Sequence, residues 1–281
     1  MKKFAFLSWA VVAALFFTAC GSSPKGYSVV DGVIVFDAPA RVEGQHSVLR
    51  LTTDPIPVVR VGFIGLGMRG PGAVERFTYL DGVEIKALCD LYPDRVEKSQ
   101  EILAGRNLPA AAAYSGEEGW KELCRRDDID LVYICTPWQL HVPMAVYAME
   151  HGKHVAVEVP AAMSLEECWQ LVDTAEKTQR HCMMLENCVY DFFELTTLNM
   201  AQHGLFGEII HTEGSYIHDL DPFWEHYQGN WRLDFNQSHR GDVYATHGLG
   251  PACQLLDIHR GDRMTRLVSL DTESINGLKT A

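Results

Sequence analysis

Positive charge is scarce in this chain. Lys and Arg number 24 against 37 Asp and Glu, a net charge of −13, which argues against a nucleic-acid surface and says little about a neutral substrate. A long apolar run is missing too: the stretch from Phe4 to Phe17 is too short for a normal membrane-spanning helix. The eight cysteines contain no CxxC pair and no regular spacing. Cys89 and Cys135 fall in predicted core strands, and Cys168 and Cys182 within or beside a core helix. Buried free thiols are therefore expected rather than a disulfide framework. His211, His218, His226, His239, His247 and His259, with Asp219 and Asp242, show no HExxH or comparable ligand spacing. No metal is expected, and polar loop residues that bind a sugar fit them better.

What is present begins with an export signal. Lys2-Lys3, the apolar run and Thr18-Ala19-Cys20-Gly21 have the layout of a secretory peptide. A cysteine directly after small residues resembles a bacterial lipoprotein signal, in which Cys20 becomes the lipidated first residue. The reading is an exported lipoprotein anchored to the membrane, periplasmic or at the cell surface, with residues 1–19 removed. A plain cleaved signal is the alternative. No twin arginine is present, which points to export unfolded.

Residues 20–57 carry Gly, Ser, Pro and charges around one apolar run, Val33 to Phe36, and read as a tether with one hairpin. From Val58 strands and helices alternate. The apolar run Val58–Ile64 reads as a strand buried on both faces. It ends in Gly65-Leu66-Gly67-Met68-Arg69-Gly70, after which a helix opens at Gly72. A strand, three glycines so spaced and a helix form a dinucleotide-binding turn. Gly65 allows the tight turn, Gly67 lets backbone approach a pyrophosphate, and Gly70 lets the helix sit close to the strand. The helix N-terminus offers N–H groups to the anion. A second strand, Val83–Cys89, ends at Asp90, where an acid accepts hydrogen bonds from the adenosine ribose. A carboxylate there also repels a 2′-phosphate, so NAD is expected rather than NADP; the alternative for Asp90 is a turn former before Tyr92-Pro93.

Helices over 94–104 and 119–125, a strand over 131–136, a helix over 143–151 and a strand over 154–158 follow. Ser164-Leu165-Glu166-Glu167 is a capping box opening a helix to about Lys177, and residues 182–186 form another strand. The fold class is α/β: residues 58–186 make a Rossmann doubly wound parallel sheet. Residues 187–281 begin an α+β open-sheet substrate domain. There a helix over 192–203, an antiparallel strand over 208–218, a short helix at 255–257 and a strand over 267–270 are expected. So small a sheet is incomplete, and its uncovered apolar face implies a fragment prone to aggregate or self-associate.

Three polar clusters follow strand ends, where this fold places its site. Thr136-Pro137-Trp138-Gln139-Leu140-His141 offers Trp138 to a nicotinamide or sugar ring and His141 to a hydroxyl. Glu158-Val159-Pro160 and Glu186-Asn187-Cys188-Val189-Tyr190 are the others. Packing, N-cap and solvated-end roles are the respective alternatives.

The glycine turn, the TPxxxH loop and Glu158-x-Pro160 resemble the glucose–fructose oxidoreductase/inositol dehydrogenase superfamily, which pairs a Rossmann domain with an open-sheet substrate domain. Its usual Glu-Lys-Pro, whose lysine helps move the proton of the oxidised hydroxyl, carries Val159 here. More narrowly, the chain resembles the NAD-dependent α-N-acetylgalactosaminidases of glycoside hydrolase family 109. The likeness lies in residues 62–65, 152–162, 186–188, 214–220 and 230–232 and in Tyr244-Ala245-Thr246-His247-Gly248-Leu249-Gly250-Pro251, and covers Val58 to Leu270. Such proteins run past this chain's end, so the resemblance implies a truncation. It also implies chemistry in which NAD oxidises the sugar at C3, a base removes the C2 proton, the aglycone leaves C1, water adds and NADH re-reduces C3. Tyr190 would be the C2 base, with a lowered pKa, and His247 would handle the C3 hydroxyl proton. Glu158, Arg232 and Tyr244 would hold sugar and cofactor. The glycine turn, Asp90, Trp138, His141, Glu158 and Asn187 would line the NAD site, and a glycan would be the partner. A net sugar or polyol dehydrogenase, or an inactive nucleotide-binding lipoprotein, are the alternatives.

Overall fold

The computed structural model describes residues 27–31, 33–36, 38–220, 222–223, 227, 229–239 and 245–273. Residues 1–19, read from the sequence as a signal peptide, together with Cys20 and Tyr244, lie outside the described residues. Two compact units result. The smaller holds the hairpin of β1 (Tyr27–Val30) and β2 (Val33–Phe36), paired antiparallel, together with residues 264–269.

The larger unit is organised by a six-stranded, all-parallel sheet. Its strands are β3 (Val59–Ile64), β4 (Val83–Asp90), β5 (Ala112–Ser115), β6 (Leu131–Ile134), β7 (His154–Val157) and β8 (Cys182–Met184). Their order is β5-β4-β3-β6-β7-β8, so the chain moves outward from β3 one way and then returns to build the other half. The crevice between β3 and β6 is the switch point at which this fold binds dinucleotides. Apolar residues on both faces of each strand let helices cover both sides. On one face Ile64, Val132, Ile134, Val155 and Val157 pack on α3 (Gly119–Cys124), α4 (His141–Glu150) and α5 (Leu165–Thr178). On the other, Val61, Phe63, Leu88 and Tyr133 pack on α1 (Gly70–Phe77) and α2 (Pro93–Gly105). Ser164 caps α5 as expected, accepting from Glu167 N at 3.1 Å, while Glu167 reaches back to Met163 N. β5 has no counterpart among the expected strands; four small or mixed residues paired on one side only leave little pattern to read.

Beyond β8 come α6 (Phe192–Gln202), α7 (Trp231–Ser238) and α8 (Ala245–Leu255). Strands expected over 208–218 and 267–270 are absent: both segments are irregular, and Ile210, Ile217, Leu267 and Leu270 are exposed. A strand needs a neighbour to take its N–H and C=O groups, and among the described residues neither segment has one. Of the helix expected at 255–257, Leu255 is the last residue of α8, and Leu256 and Asp257 form the turn after it.

The tether is not loose throughout. Arg41 grips the buried Glu176 of α5 through two hydrogen bonds of 2.8 and 2.9 Å, and Gln45 donates to Asp173 at 2.7 Å. Residues 41–46 therefore form a strap along α5. All seven described cysteines are unpaired, and burial pushes the Cys89 and Cys124 thiols up to about 12. Cys168, expected near the core, is exposed on α5.

Candidate active site

The glycine turn has the geometry a dinucleotide needs. Gly65 has φ +93°, and a Cβ there would stand 2.7 Å from the Cys135 carbonyl. A Cβ on Gly70 would lie 2.1 Å from the Gly65 oxygen, so α1 closes on the end of β3 only because Gly70 has no side chain. Gly67 is different. Its missing Cβ faces only the end of the Arg95 side chain, at 3.3 Å, an open side of the kind that lets backbone approach a pyrophosphate. Asp90 braces the turn. Its Oδ2 accepts from Leu66 N at 2.6 Å and its Oδ1 from Tyr92 N at 3.0 Å. A carboxylate has further lone pairs for a ribose diol. Leu66 has its side chain buried and its amide donated to Asp90. Met68 and Arg69 are the exposed members of the turn.

Two of the strand-end residues are buried. His141 is 1% exposed, with Nδ1 2.7 Å from Pro160 O and Nε2 2.8 Å from Thr136 O. It staples the loops after β6 and β7 together, each ring nitrogen lying against a backbone carbonyl. Burial pushes its pKa down, against the two carbonyls. Trp138 is likewise buried, edge-on to Trp231 and Phe235 with centroids 5.0 and 4.7 Å away. Val159 completes this cluster. These edge-to-ring contacts fit the packing alternative for Trp138.

Glu158 faces the turn. Its Oε1 accepts from Tyr133 Oη at 2.9 Å and from Arg69 Nε at 3.1 Å. Burial raises the Tyr133 pKa, with the nearby Cys135 and Glu158 adding to it, so the phenol remains a donor. Sheet core, glycine turn and the end of β7 thus meet on one carboxylate.

The second acid–base group lies at the end of β8. Glu186 is 5% exposed and accepts from Cys188 N at 3.0 Å; its Oε1 also lies 2.6 Å from His247 Nδ1, in the first turn of α8. Among the described residues, Glu186, Cys188 and His247 form the one group of three metal-type donors, with ligand atoms within 4.8 Å of one another; the 2.6 Å hydrogen bond accounts for the approach of two of them. The Tyr216 ring stands 4.8 Å from His247. Burial raises its pKa against the opposing charge of Arg232, whose guanidinium lies over Trp138 at 5.4 Å. Asn230 caps α7 and donates to Met68 Sδ at 3.6 Å, so α7 rests on the glycine turn. Beside His247 opens a cavity of about 280 Å³ whose lining mixes polar groups, among them Glu194, Thr197 and Glu213, with apolar ones such as Phe193, Leu198 and Leu255.

Residues 59–186 match the oxidoreductase family with an NAD-binding Rossmann fold, and residues 190–280 match the C-terminal domain of glycosyl hydrolase 109. Over 240 residues the chain is 68% identical to glycosyl hydrolase family 109 protein 1 of Bacteroides fragilis, covering 85% of this chain and 52% of that protein. The chain belongs to glycosyl hydrolase family 109. It is also 62% identical over 273 residues to the family 109 protein of Porphyromonas gingivalis, covering 97% of this chain and 58% of that one. It spans about half the length of the curated relatives it matches. Among solved structures, scyllo-inositol dehydrogenase from Lactobacillus casei, with bound NAD(H) and scyllo-inositol, is similar at 18% identity with a TM-score of 0.49, over 54% of this chain and 43% of that one.

This family 109 chain carries an NAD-binding domain whose open Gly67 cradle and α1 N-terminus fit the dinucleotide. The structure brings Gly67, Met68, Arg69, Asp90 and Glu158 together at the turn; Arg232 lies on α7, whose Asn230 cap reaches Met68, and His247 lies on Glu186. Tyr190 and Asn187 sit exposed on the short 3₁₀ turn after β8, and Asn187 reaches only Cys188 Sγ, at 3.7 Å. Sequence reasoning missed three groups. Glu186 marked a strand end, but no spacing signal ties it to a histidine 61 residues on. Tyr133 reads as core, which its ring is, and Tyr216 sits in a segment read as strand.

Proposed function

We propose that the chain is part of an NAD-dependent glycosidase that hydrolyses α-linked N-acetylgalactosamine. Bound NAD would accept hydride from C3 of the sugar and return it at the end, with no net oxidation. The residues of this chain do the rest. His247 takes the C3 hydroxyl proton, and Tyr190 removes the C2 proton that the new ketone acidifies. Loss of the aglycone from C1 and addition of water follow. Arg69 and Glu158 hold the cofactor side, while Arg232 and Tyr244 hold the sugar. The cavity beside His247 sets hydroxyls and carboxylates among apolar side chains such as Phe193 and Leu198, a mixed lining that suits a glycan.

The observation that carries this reading is Val159. Where the resembling dehydrogenases keep a proton-moving lysine, this chain has a side chain 7% exposed among Trp138, Trp231 and Phe235. Proton handling at the strand ends then falls to His247 and its carboxylate. In the full-length enzyme, aglycone should be released catalytically while NADH absorbance stays near zero, and the C2 hydrogen should wash into solvent. Tyr190→Phe should slow exchange and turnover together by about a hundredfold or more. NADH accumulating in step with product would make the protein a net sugar or polyol dehydrogenase. Retention of C2 deuterium would sink the elimination route.

Export as a lipid-anchored protein rests on Thr18-Ala19-Cys20. Cys20→Ala should abolish lipid labelling and release the protein from membranes; unchanged fractionation would make the cysteine incidental.

A further inference from the structure

We infer that Glu186 is the positioning residue of His247: its carboxylate fixes the imidazole as the Nδ1–H tautomer and leaves Nε2 as the nitrogen that receives a substrate proton. The inference rests on the reading that His247 handles the C3 hydroxyl.

An ionised carboxylate only accepts hydrogen bonds. With Glu186 Oε1 at 2.6 Å, the Nδ1 of His247 must carry the proton, so the lone pair is on Nε2. The carboxylate is itself fixed, because the same oxygen accepts from Cys188 N at 3.0 Å, at the cap of the 3₁₀ turn. Both partners are withdrawn from water, with side chains 6% and 10% exposed, which strengthens the charge-assisted bond. Glu186 Oε2 is buried and accepts no hydrogen bond. Its carboxylate therefore bears on the His247 imidazole, with which the other oxygen is in contact. When the sugar O–H bond breaks and an Nε2–H bond forms, the electron pair stays on oxygen to become the ketone as C3 gives up its hydride. The imidazolium left behind is stabilised by Glu186.

The approach of α8 to Glu186 is built by glycine. A Cβ on Gly248 would stand 2.9 Å from the Gly214 backbone, and one on Gly250 would stand 2.8 Å from Val189 and 3.3 Å from Glu186 Cγ. Side chains at either place would lift the first turn of α8, and His247 with it.

The test uses the intact, NAD-loaded chain labelled with ¹⁵N-histidine, with His247 assigned from the spectrum of His247→Gln. The wild type should give the Nδ1–H tautomer with a strongly deshielded proton. Glu186→Ala should lose that proton signal and redistribute the tautomers; the isosteric Glu186→Gln should shift the signal upfield and serves should the alanine variant not fold. Turnover of an aryl N-acetylgalactosaminide by the full-length enzyme should fall about 10²–10⁴-fold, with NAD affinity within about threefold of wild type. An Nε2–H tautomer in the wild type, or a spectrum unchanged by either substitution, would overturn the inference. If the tautomer changes and turnover does not, Glu186 orients His247 but the role proposed for His247 is wrong.

Discussion

Two glycines three residues apart should fail in opposite ways. At Gly70 an added Cβ would sit 2.1 Å from the Gly65 carbonyl oxygen, far inside ordinary van der Waals contact. Neither atom belongs to a flexible side chain, so α1 must retreat from β3 by roughly 1 Å, and overpacking of this kind costs about 1–3 kcal/mol. In a domain of this size each kcal/mol moves the melting temperature by about 2–4 °C. Gly70→Ala should therefore melt several degrees low, whether or not NAD is present. At Gly67 the added Cβ meets only the Arg95 guanidinium, which can swing aside. Gly67→Ala should keep its stability within about 0.5 kcal/mol of wild type. It should lose NAD affinity by tenfold or more, about 1.4 kcal/mol, because the methyl group fills the pyrophosphate cradle. Thermal melts paired with calorimetric NAD titration separate the two. A Gly67→Ala protein that binds NAD as tightly as wild type, or a Gly70→Ala protein that melts normally, would refute the assignment of the open side.

Arg60 binds Asp130 through Nε and Nη2 at 2.9 and 2.6 Å, and this hydrogen bonding holds the Asp130 carboxyl below its usual range. A depressed acid stabilises the fold above its unfolded pKa of about 3.9 and loses that contribution as pH falls through the folded value. Asp130→Asn should cost about 1 kcal/mol near neutrality, with the gap to wild type closing below about pH 4 in acid melts. Arg41→Ala should free the strap from α5, and limited proteolysis should then cut within residues 41–51 while NAD binding persists; unchanged cleavage would mean the strap is held by other contacts. Val159→Lys would place an ammonium among Trp138, Trp231 and Phe235. It should destabilise by about 3 kcal/mol or more without conferring NADH-accumulating dehydrogenase activity; a stable variant that accumulates NADH would show the position still opens onto the site.

The parallel sheet was legible because each of its strands but β5 is an apolar run of the right length next to a helical pattern, and because the glycine spacing has few other physical uses. Short-range chemistry was also legible: Asp90 stands where the turn needs an acid, and Ser164 caps its helix. What depended on distant partners was not. Nothing local distinguishes His141, closed between two carbonyls, from His247, aimed by a carboxylate. The difference lies in which loops the fold brings to each ring. Trp138 looks equally suited to a ligand or to packing until Trp231 and Phe235 arrive from a helix about 90 residues later. The alternation over 208–218 satisfies the strand pattern, yet pattern without a pairing neighbour makes no ladder.

The hydrogen bond between Glu186 and His247 also crosses a seam in the architecture. Glu186 is the last residue matched to the NAD-binding family and His247 lies inside the hydrolase-type domain. Each half contributes one member of the pair, and neither holds it alone. Recombining halves from different family 109 relatives would therefore keep both folds and still scramble one contact unless carboxylate length and helix approach were inherited together. Chimeras cut between residues 186 and 190 offer a way to ask how strictly the two halves have been matched to one another.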